Sequence, residues 1–219
     1  MNGYSETLKY LPFLVDGLGW TVVMSIGAMA GATVVGLLCA LGRDSRFGVV
    51  RSAVGVYGNV FRSTPLLIQL LWIYYALPVL TGYSFTAVQS GLIGMSLHSG
   101  AYLAEVFRAG IASVPRGQVD AAEALGMSRY SVATRVVLPQ AVRNMLPALT
   151  NNLIIIVKDS SLLSFVSVSE LLRNGQTVAA FMQKSMEPLT IVAVLYLLVT
   201  APLAFLAHTL EARRKRAAS

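Results

Sequence analysis

Three side chains that could do chemistry fall on one face of an otherwise apolar segment. His98, Tyr102 and Glu105 lie four and then three residues apart, which places them on the same face of a helix. Two interpretations of His98 stay open, since its imidazole either contacts the carboxylate of a bound solute or makes a hydrogen bond within a helix bundle. Glu105 and Arg108 are three residues apart, and this spacing favours a structural ion pair over a contact with solute.

A second polar group recurs along another apolar segment. Asn144, Asn151 and Lys158 follow one another at intervals of seven residues, with Asn152 and Asp159 on the adjoining stripe. An ionisable group at the centre of an apolar helix costs at least about 2.5–3.5 kcal/mol. These residues either line a hydrated path through the protein or clamp neighbouring helices or protomers together, and the adjacent opposite charges of Lys158 and Asp159 favour the clamp.

The remaining sequence offers no reaction centre. No suitable glycine is followed by the Lys-Ser or Lys-Thr of a phosphate-binding loop, and no nucleophile–base pair or cluster of metal ligands is visible. Cys39 is the only cysteine, which excludes a disulfide within the chain. We therefore predict no catalytic residue, no metal site and no cofactor held by this chain, and we do not expect it to be an enzyme by itself.

The longest polar stretch, residues 118–139, has the features of two short helices joined by a turn. Pro115 suits a helix start, Gly126 suits a left-handed C-cap, and Ser128 suits the N-cap of a second helix that ends at Pro139. The first helix carries a narrow apolar ridge, flanked by Asp120 and Glu123, that consists of Ala121, Ala122, Ala124 and Leu125. Small side chains let the backbone of another protein approach closely; the alternative is an interfacial helix without a partner.

The composition indicates a protein that lies mostly within a membrane. Apolar residues make up 55% of the chain and charged residues 12%, against about 25% charged residues in a soluble domain. Charge-free runs of 26, 42 and 23 residues begin at Gly17, Ser63 and Pro188, and one span needs about 20 apolar residues. With a further apolar segment around residues 144–170, these runs predict an all-α membrane protein that forms a single domain over residues 1–219. Its five transmembrane helices are predicted at about 18–41, 64–80, 87–107, 141–164 and 188–210, with a cytoplasmic loop at about 113–139.

The basic residues predict the orientation of these spans. Twelve of the 17 Lys and Arg residues fall on one side of a five-span arrangement. They are Arg43, Arg46, Arg51, Arg108, Arg116, Arg129, Arg135, Arg143, Arg213, Arg214, Lys215 and Arg216. Because basic loops stay in the cytoplasm, the N-terminus is predicted outside and the C-terminus inside. This distribution also accounts for the net charge of +7 and disfavours nucleic-acid binding.

Two short sequences allow predictions of local structure. Gly27 and Gly31 form a Gly-x3-Gly pair that lets two helices approach closely, although ordinary span composition would give the same pattern. Between the last two predicted spans, residues 173–176 read Arg-Asn-Gly-Gln and have the composition of a solvated turn.

The polar stretch resembles the cytoplasmic loop that is the signature of bacterial ABC importer permeases, Glu-Ala-Ala-x3-Gly-x9-Ile-x-Leu-Pro. Here Asp120-Ala121-Ala122 is followed at the same spacing by Gly126 and by Val136-Val137-Leu138-Pro139. Asp120 replaces the Glu and Val136 replaces the Ile. Three further segments are similar to the polar amino-acid permeases, which work with an external binding protein: residues 61–69, 101–111 and 158–162. Ser63 stands where that subfamily more often has Gly.

The resemblance implies a type I importer fold, in which two permease protomers work with a cytoplasmic ABC ATPase dimer and a periplasmic or extracellular amino-acid-binding protein. ATP and Mg would be bound by the partner ATPase, and a coupling helix at about 116–127 would convert its movement into alternating access of the pore. The implied ATPase-coupling residues are Asp120, Ala121, Ala122, Glu123, Gly126, Leu138 and Pro139. The residues expected along the solute path are His98, Tyr102, Asn151, Asn152, Lys158 and Asp159. The expected location is the bacterial cytoplasmic (inner) membrane.

Two other classes of function stay open at this point. An ion-coupled secondary transporter without an ATPase would account for Lys158 and Asp159 within the membrane, but it leaves the polar stretch unexplained, and inverted repeats are not visible. A membrane enzyme is disfavoured by the missing reaction centre. The sequence does not distinguish basic, acidic, amide and sulfur-containing amino acids as the solute, nor a pair of identical permeases from a pair with a paralogue.

Overall fold

The fold is helical throughout the part of the chain that a computed structural model describes, namely the backbone of residues 2–218 and the side chains of residues 3–212. No strand occurs in that range. The basic residues at 213–216, which contribute to the predicted orientation, have their side chains outside the described range.

The helices follow one another with short connections. α1 is Asn2–Thr7, and a 3₁₀ turn at Leu8–Tyr10 leads into α2, Leu11–Arg43. α3 is Gly48–Ser63, and α4 is Leu66–Thr81 with a π turn at Trp72–Ala76. α5 is Ala87–Ala112 and α6 is Arg116–Ala124. α7 is Arg129–Val166, with a π turn at Ala133–Val137 and a 3₁₀ end at Ser160–Val166. α8 is Leu171–Met182 and α9 is Met186–Ala218.

Three helical segments of the described chain are long and apolar enough to cross a membrane: Gly3–Arg43, Arg129–Val166 and Met186–Ala212. A fourth is obtained if α3 and α4, which meet at a bend of 109°, count as one broken span. α5 is not among them although it has 26 residues, because its sequence is rich in serine and glycine. It needs less apolar surface, since ten of its residues are buried inside the bundle.

α2 and α5 pack in parallel at close range, and glycines of α2 make this possible. Gly27 lies beside Leu92, Gly31 beside Ser96 and Gly36 beside Leu103. A Cβ atom at Gly31 would lie 2.8 Å from Cβ of Ser96, and one at Gly36 would lie 3.1 Å from the backbone N of Ala104. Gly27 and Gly31 are therefore at a helix contact, as the first of their two interpretations predicts.

α7 runs in the opposite direction to α5. Gly91 near the start of α5 contacts Leu163 near the end of α7, whereas Gly110 near the end of α5 contacts Met145. The core where α2, α4, α5 and α7 meet is formed by Met24, Ala28, Leu66, Leu70, Met95, Ile156 and Leu163, with Val166 and Val168.

Residues 173–176 form part of a helix that is buried on one side, so the prediction of a solvated turn there is wrong. They lie within α8, where Asn174 is 4% exposed and its Nδ2 donates to the backbone O of Phe13 at 2.8 Å. Gly175 lets α9 approach, because a Cβ atom there would overlap with the side chain of Val192. Asn174 and Gly175 therefore serve packing against α2 and α9, whereas Arg173 and Gln176 on the other side of α8 are exposed.

Candidate coupling surface and solute path

α6 and the first turns of α7 are joined by a turn that contains a left-handed glycine. Gly126 has a φ angle of 77°. Its N–H donates to the O of Glu123 at 2.9 Å, and the next N–H donates to the O of Ala122 at 3.2 Å, which is the bond pair of a Schellman C-cap. Ser128 then caps α7, since its Oγ accepts from the backbone N–H three residues later at 3.3 Å. Both predicted caps are confirmed.

This helical hairpin, residues 116–137, turns one face inward and leaves the other exposed. Ala122 and Val132 are 6% and 4% exposed, whereas Leu125 and Tyr130 are 84% and 79% exposed. The six predicted coupling residues besides Ala122 are exposed: Asp120, Ala121, Glu123, Gly126, Leu138 and Pro139. Large apolar side chains that stay uncovered next to exposed acids are typical of a surface that binds another protein.

Two side-chain hydrogen bonds hold the hairpin and the connection that precedes it against the long part of α7. Nε2 of Gln140 in α7 donates to Oε1 of Gln118 in α6 at 2.5 Å. Nδ2 of Asn144 in α7 donates to Oγ of Ser113, between α5 and α6, at 2.8 Å. Asn144, which the sequence places on the polar stripe of α7, thus has a partner at the end of α5.

Gln69 of α4 fixes the hydrogen-bonding state of His98. Nε2 of Gln69 donates to the O of Phe61 at 3.0 Å and to Oγ1 of Thr64 at 2.7 Å, which turns Oε1 towards Nδ1 of His98 at 3.1 Å. An amide oxygen only accepts, so Nδ1 of His98 carries the proton in this contact. The hydrogen bond of His98 within the bundle is confirmed.

Tyr102 and the charged residues beyond it continue this face of α5. The rings of His98 and Tyr102 have centroids 5.2 Å apart. Glu105 is bound by Arg108 at 3.2 Å, which confirms the predicted ion pair, and also by Arg62 of α3 at 2.8 Å. Both pairs are partly exposed, so each contributes on the order of 1 kcal/mol or less. The second arginine ties α3 to α5.

The later polar residues of α7 make no hydrogen bond to the α5 face among the described side chains. Asn151 and Lys158 are exposed, and Asn152 and Asp159 are half-buried. Nδ2 of Asn152 donates to the O of Ala148 in its own helix at 3.0 Å. Within one chain the structure therefore does not join the two groups, and both interpretations of Lys158 and Asp159, as a path or as a clamp between protomers, stay predictions.

The chain is similar to known membrane proteins over most of its length. The chain matches the family described as the binding-protein-dependent transport system inner membrane component over residues 32–216. It belongs to that family. The glutamine transport system permease protein GlnP of Escherichia coli (strain K12) is 36% identical over 213 residues, which is 97% of each chain. A crystal structure of an amino acid ABC transporter with histidines contains a chain that is 32% identical, with a TM-score of 0.90 over 97% of this chain and 99% of that one.

The inward-facing MetNI methionine ABC transporter supports the fold alone, since its chain is 21% identical with a TM-score of 0.75 and covers 93% of this chain and 97% of that chain. The present chain is a permease subunit of an ATP-driven, binding-protein-dependent importer, with the type I ABC permease fold. It is the multi-pass membrane component of such a system and not an enzyme. This family assignment decides against the ion-coupled transporter.

The permease also contains a buried carboxylate that no sequence pattern marks. Glu170 is fully buried and caps α8, accepting from the N–H groups of Leu172 and Arg173 at 2.8 Å each and from the hydroxyl of Tyr196 at 2.8 Å. Burial raises the pKa of Glu170 above its usual range, and the hydrogen bonds offset part of that rise. The only signal in the sequence is an acidic residue before Leu171-Leu172, which is weak because Glu is not a preferred N-cap.

Proposed function

We propose that this permease carries a polar amino acid into the cell as one of two protomers that work with a cytoplasmic ATPase dimer and an external amino-acid-binding protein. ATP and Mg bind to the partner ATPase, and this chain holds no cofactor. The observation that carries the proposal is the exposed ridge of α6, with Leu125 at its end. The similar proteins named above belong to a glutamine transport system and an amino acid ABC transporter, which supports the class of solute.

In the proposed arrangement, five segments cross the bacterial cytoplasmic membrane: α2, the bent pair α3–α4, α5, α7 and α9. The N-terminus is outside and the C-terminus is inside. Support comes from α2 and α5 running parallel while α7 runs in the opposite direction, as an alternating path requires. The clustering of twelve of the 17 basic residues on one side gives the same orientation.

Docking to the ATPase takes place on the hairpin, through Asp120, Ala121, Glu123 and the neighbouring apolar side chains, while Ala122 holds α6 to the permease. The narrow ridge lets α6 lie in a groove of the ATPase, where burial of Leu125 contributes about 1.5–3 kcal/mol. Closure of the ATPase dimer on ATP would move α6 and open the pair of permeases outward, and their relaxation would open it inward.

The solute path lies along His98 and Tyr102 of α5 and along the polar stripe of α7, at Asn151, Asn152, Lys158 and Asp159. When the ring is neutral with its proton on Nδ1, Nε2 of His98 accepts a hydrogen bond from an ammonium or amide group. Because the similar GlnP protein belongs to a glutamine transport system, glutamine is the first solute to test. Replacing each path residue with Ala is expected to reduce uptake. Unchanged uptake and unchanged solute-stimulated ATP hydrolysis in all of these variants would contradict the proposed solute path.

The Leu125→Glu variant tests the docking surface. We expect the ATPase to co-purify with this variant at least about ten-fold more weakly than with the wild type, because the apolar contact is lost and a carboxylate must be buried. Phe181→Glu is the matched control, since Phe181 is 74% exposed but lies at the end of α8, outside the hairpin. Equal loss of the ATPase in both variants, or no loss in either, would contradict docking at α6.

A further inference from the structure

The first turn of α6 is attached to the base of α7 by one glutamine pair. Nε2 of Gln140 donates both to Oε1 of Gln118 and to the backbone O of Val136, the latter at 2.9 Å. Val136 lies in the π turn Ala133–Val137, just before Pro139, which has no N–H to donate to the preceding turn. Gln140 therefore ties α6 to the turn where α7 departs from regular α-helix geometry.

The end of α5, just before α6, is also attached to α7, one turn further along. Nδ2 of Asn144 donates to Oγ of Ser113 at 2.8 Å, and that hydroxyl donates to the O of Gly110 in α5 at 2.7 Å. Asn144 follows Gln140 by four residues, so the two amides lie on one side of α7. Asn151 and Lys158 continue the stripe of Asn144 at intervals of seven residues.

We infer that two links make α7 follow α6: the pair Gln118–Gln140, which holds α6 itself, and the pair Ser113–Asn144, which holds the connection between α5 and α6. A displacement of the coupling helix then moves the polar stripe of α7 directly. This inference rests on the proposed function, because it presumes that an ATPase moves α6. The four residues are positioning residues: they touch neither solute nor nucleotide. None of them is part of the signature loop's fixed positions, which meet the partner.

The links have a specific mechanical consequence. With both of them in place, α6 and the base of α7 move as one body, and the distance between them is independent of nucleotide. One hydrogen bond contributes about 1 kcal/mol net of the bonds to water that it replaces, so removing one link raises the population of detached α6 about five-fold. When both links are removed, the two factors multiply. ATP would then displace α6 without moving α7 to the same extent.

The test measures the distance between α6 and α7 in the permease–ATPase complex in lipid nanodiscs. Spin labels are placed at Gly117→Cys and Arg143→Cys in a Cys39→Ser background, since both positions are exposed and Cys39 is the only cysteine. We expect the same distance with and without Mg-ATP in the wild-type sequence. In the Gln118→Ala, Asn144→Ala double variant we expect an ATP-dependent shift or broadening of that distance.

Two further variants separate the links from a general effect on folding. Gln118→Glu with Gln140→Lys replaces the amide pair by an ion pair and is expected to restore the constant distance in the Gln118 variant. Gln176→Ala is the matched control, because Gln176 is also an exposed glutamine but lies in α8. If the double variant fails to assemble with the ATPase, the distance is measured instead in the single variants Gln118→Ala and Asn144→Ala.

The outcomes are distinct. A distance that changes with ATP in the wild type, or a double variant that behaves like the wild type, overturns the inference while leaving the proposed function intact. Failure of the wild-type permease to bind any ATPase overturns the proposed function itself. A distance that responds to ATP only when the links are cut supports both.

Discussion

Replacing the buried Glu170 should destabilise the permease far more than replacing an exposed carboxylate. In Glu170→Ala, α8 loses its N-cap, which costs about 1 kcal/mol. The hydroxyl of Tyr196 loses the carboxylate that accepts its hydrogen bond, and an unsatisfied buried polar group costs a further 1–3 kcal/mol or so. The expected total is about 3 kcal/mol, or roughly 6–12 °C in Tm for a chain of this size.

The assay is thermal unfolding of the purified permease in detergent. Glu6→Ala is the control, because Glu6 pairs with Lys184 at 3.2 Å but its side chain is 50% exposed, and such a pair contributes about 0–1 kcal/mol. The Tm of Glu170→Gln should lie between those of Glu170→Ala and Glu6→Ala, since the one amide oxygen replaces only part of the carboxylate's capacity to accept hydrogen bonds. If Glu170→Ala unfolds at the same temperature as Glu6→Ala, Glu170 neither stabilises the start of α8 nor satisfies a buried hydroxyl of Tyr196, and this account of Glu170 is wrong.

The pH dependence of the same assay gives an independent check. Burial raises the pKa of folded Glu170 above the unfolded value of about 4.3, so between the two pKa values the folded state binds the proton more tightly. The contribution of Glu170 to stability is complete below the unfolded pKa and is lost as the pH rises through the folded pKa. The Tm of the wild type should therefore fall more steeply above about pH 4.3 than that of Glu170→Gln.

Three further predictions concern packing and local conformation, and all can be read as changes in Tm. Gly36→Ala should lower stability by about 1–3 kcal/mol, because the added Cβ atom would press on the α5 backbone. Gly19→Ala is the control and should be neutral or stabilising by up to about 1 kcal/mol, since a Cβ atom added there would have no neighbour within 4 Å. Equal effects of the two substitutions would contradict the α2–α5 contact. Gln183→Gly should stabilise by roughly 0.5–1 kcal/mol, because Gln183 has a φ angle of 51°. Gln69→Leu should cost about 1–3 kcal/mol through the lost bonds at the α3–α4 bend and to His98, and an unchanged Tm would refute that role.

The hairpin could be predicted from sequence because its signals are local. Gly126 and Ser128 sit where a left-handed cap and an N-cap need those residue types, and both adopt those conformations. Long-range contacts left no such mark. The polar residues 173–176 read as a turn, but Asn174 is buried because Phe13, 161 residues away, offers it a backbone acceptor. Its partner lies in another helix, so no pattern in α8 itself could reveal it.

The candidate path was predictable only in part. The spacing of His98 and Tyr102 places them on one face of α5, which their ring contact bears out. The hydrogen bond at Nδ1 of His98 depends on Gln69 in α4, whose amide is oriented by backbone groups at the α3–α4 bend. α3 itself is not predicted by the charge-free runs, because Arg51 and Arg62 interrupt the apolar pattern that these runs detect.

Cross-linking tests most directly whether a separate ATPase binds α6, on which the proposed function depends. In a Cys39→Ser background, a single cysteine is introduced at Ala124 on the exposed side of α6 or, as the control, at Gln176 in α8. Each variant of the assembled complex is treated with a short thiol-directed photo-cross-linker, and the adducts are identified by mass spectrometry. The account predicts a covalent adduct between position 124 and the ATPase subunit, and none from position 176. An ATPase adduct that forms only from position 176, or none from position 124, would contradict it.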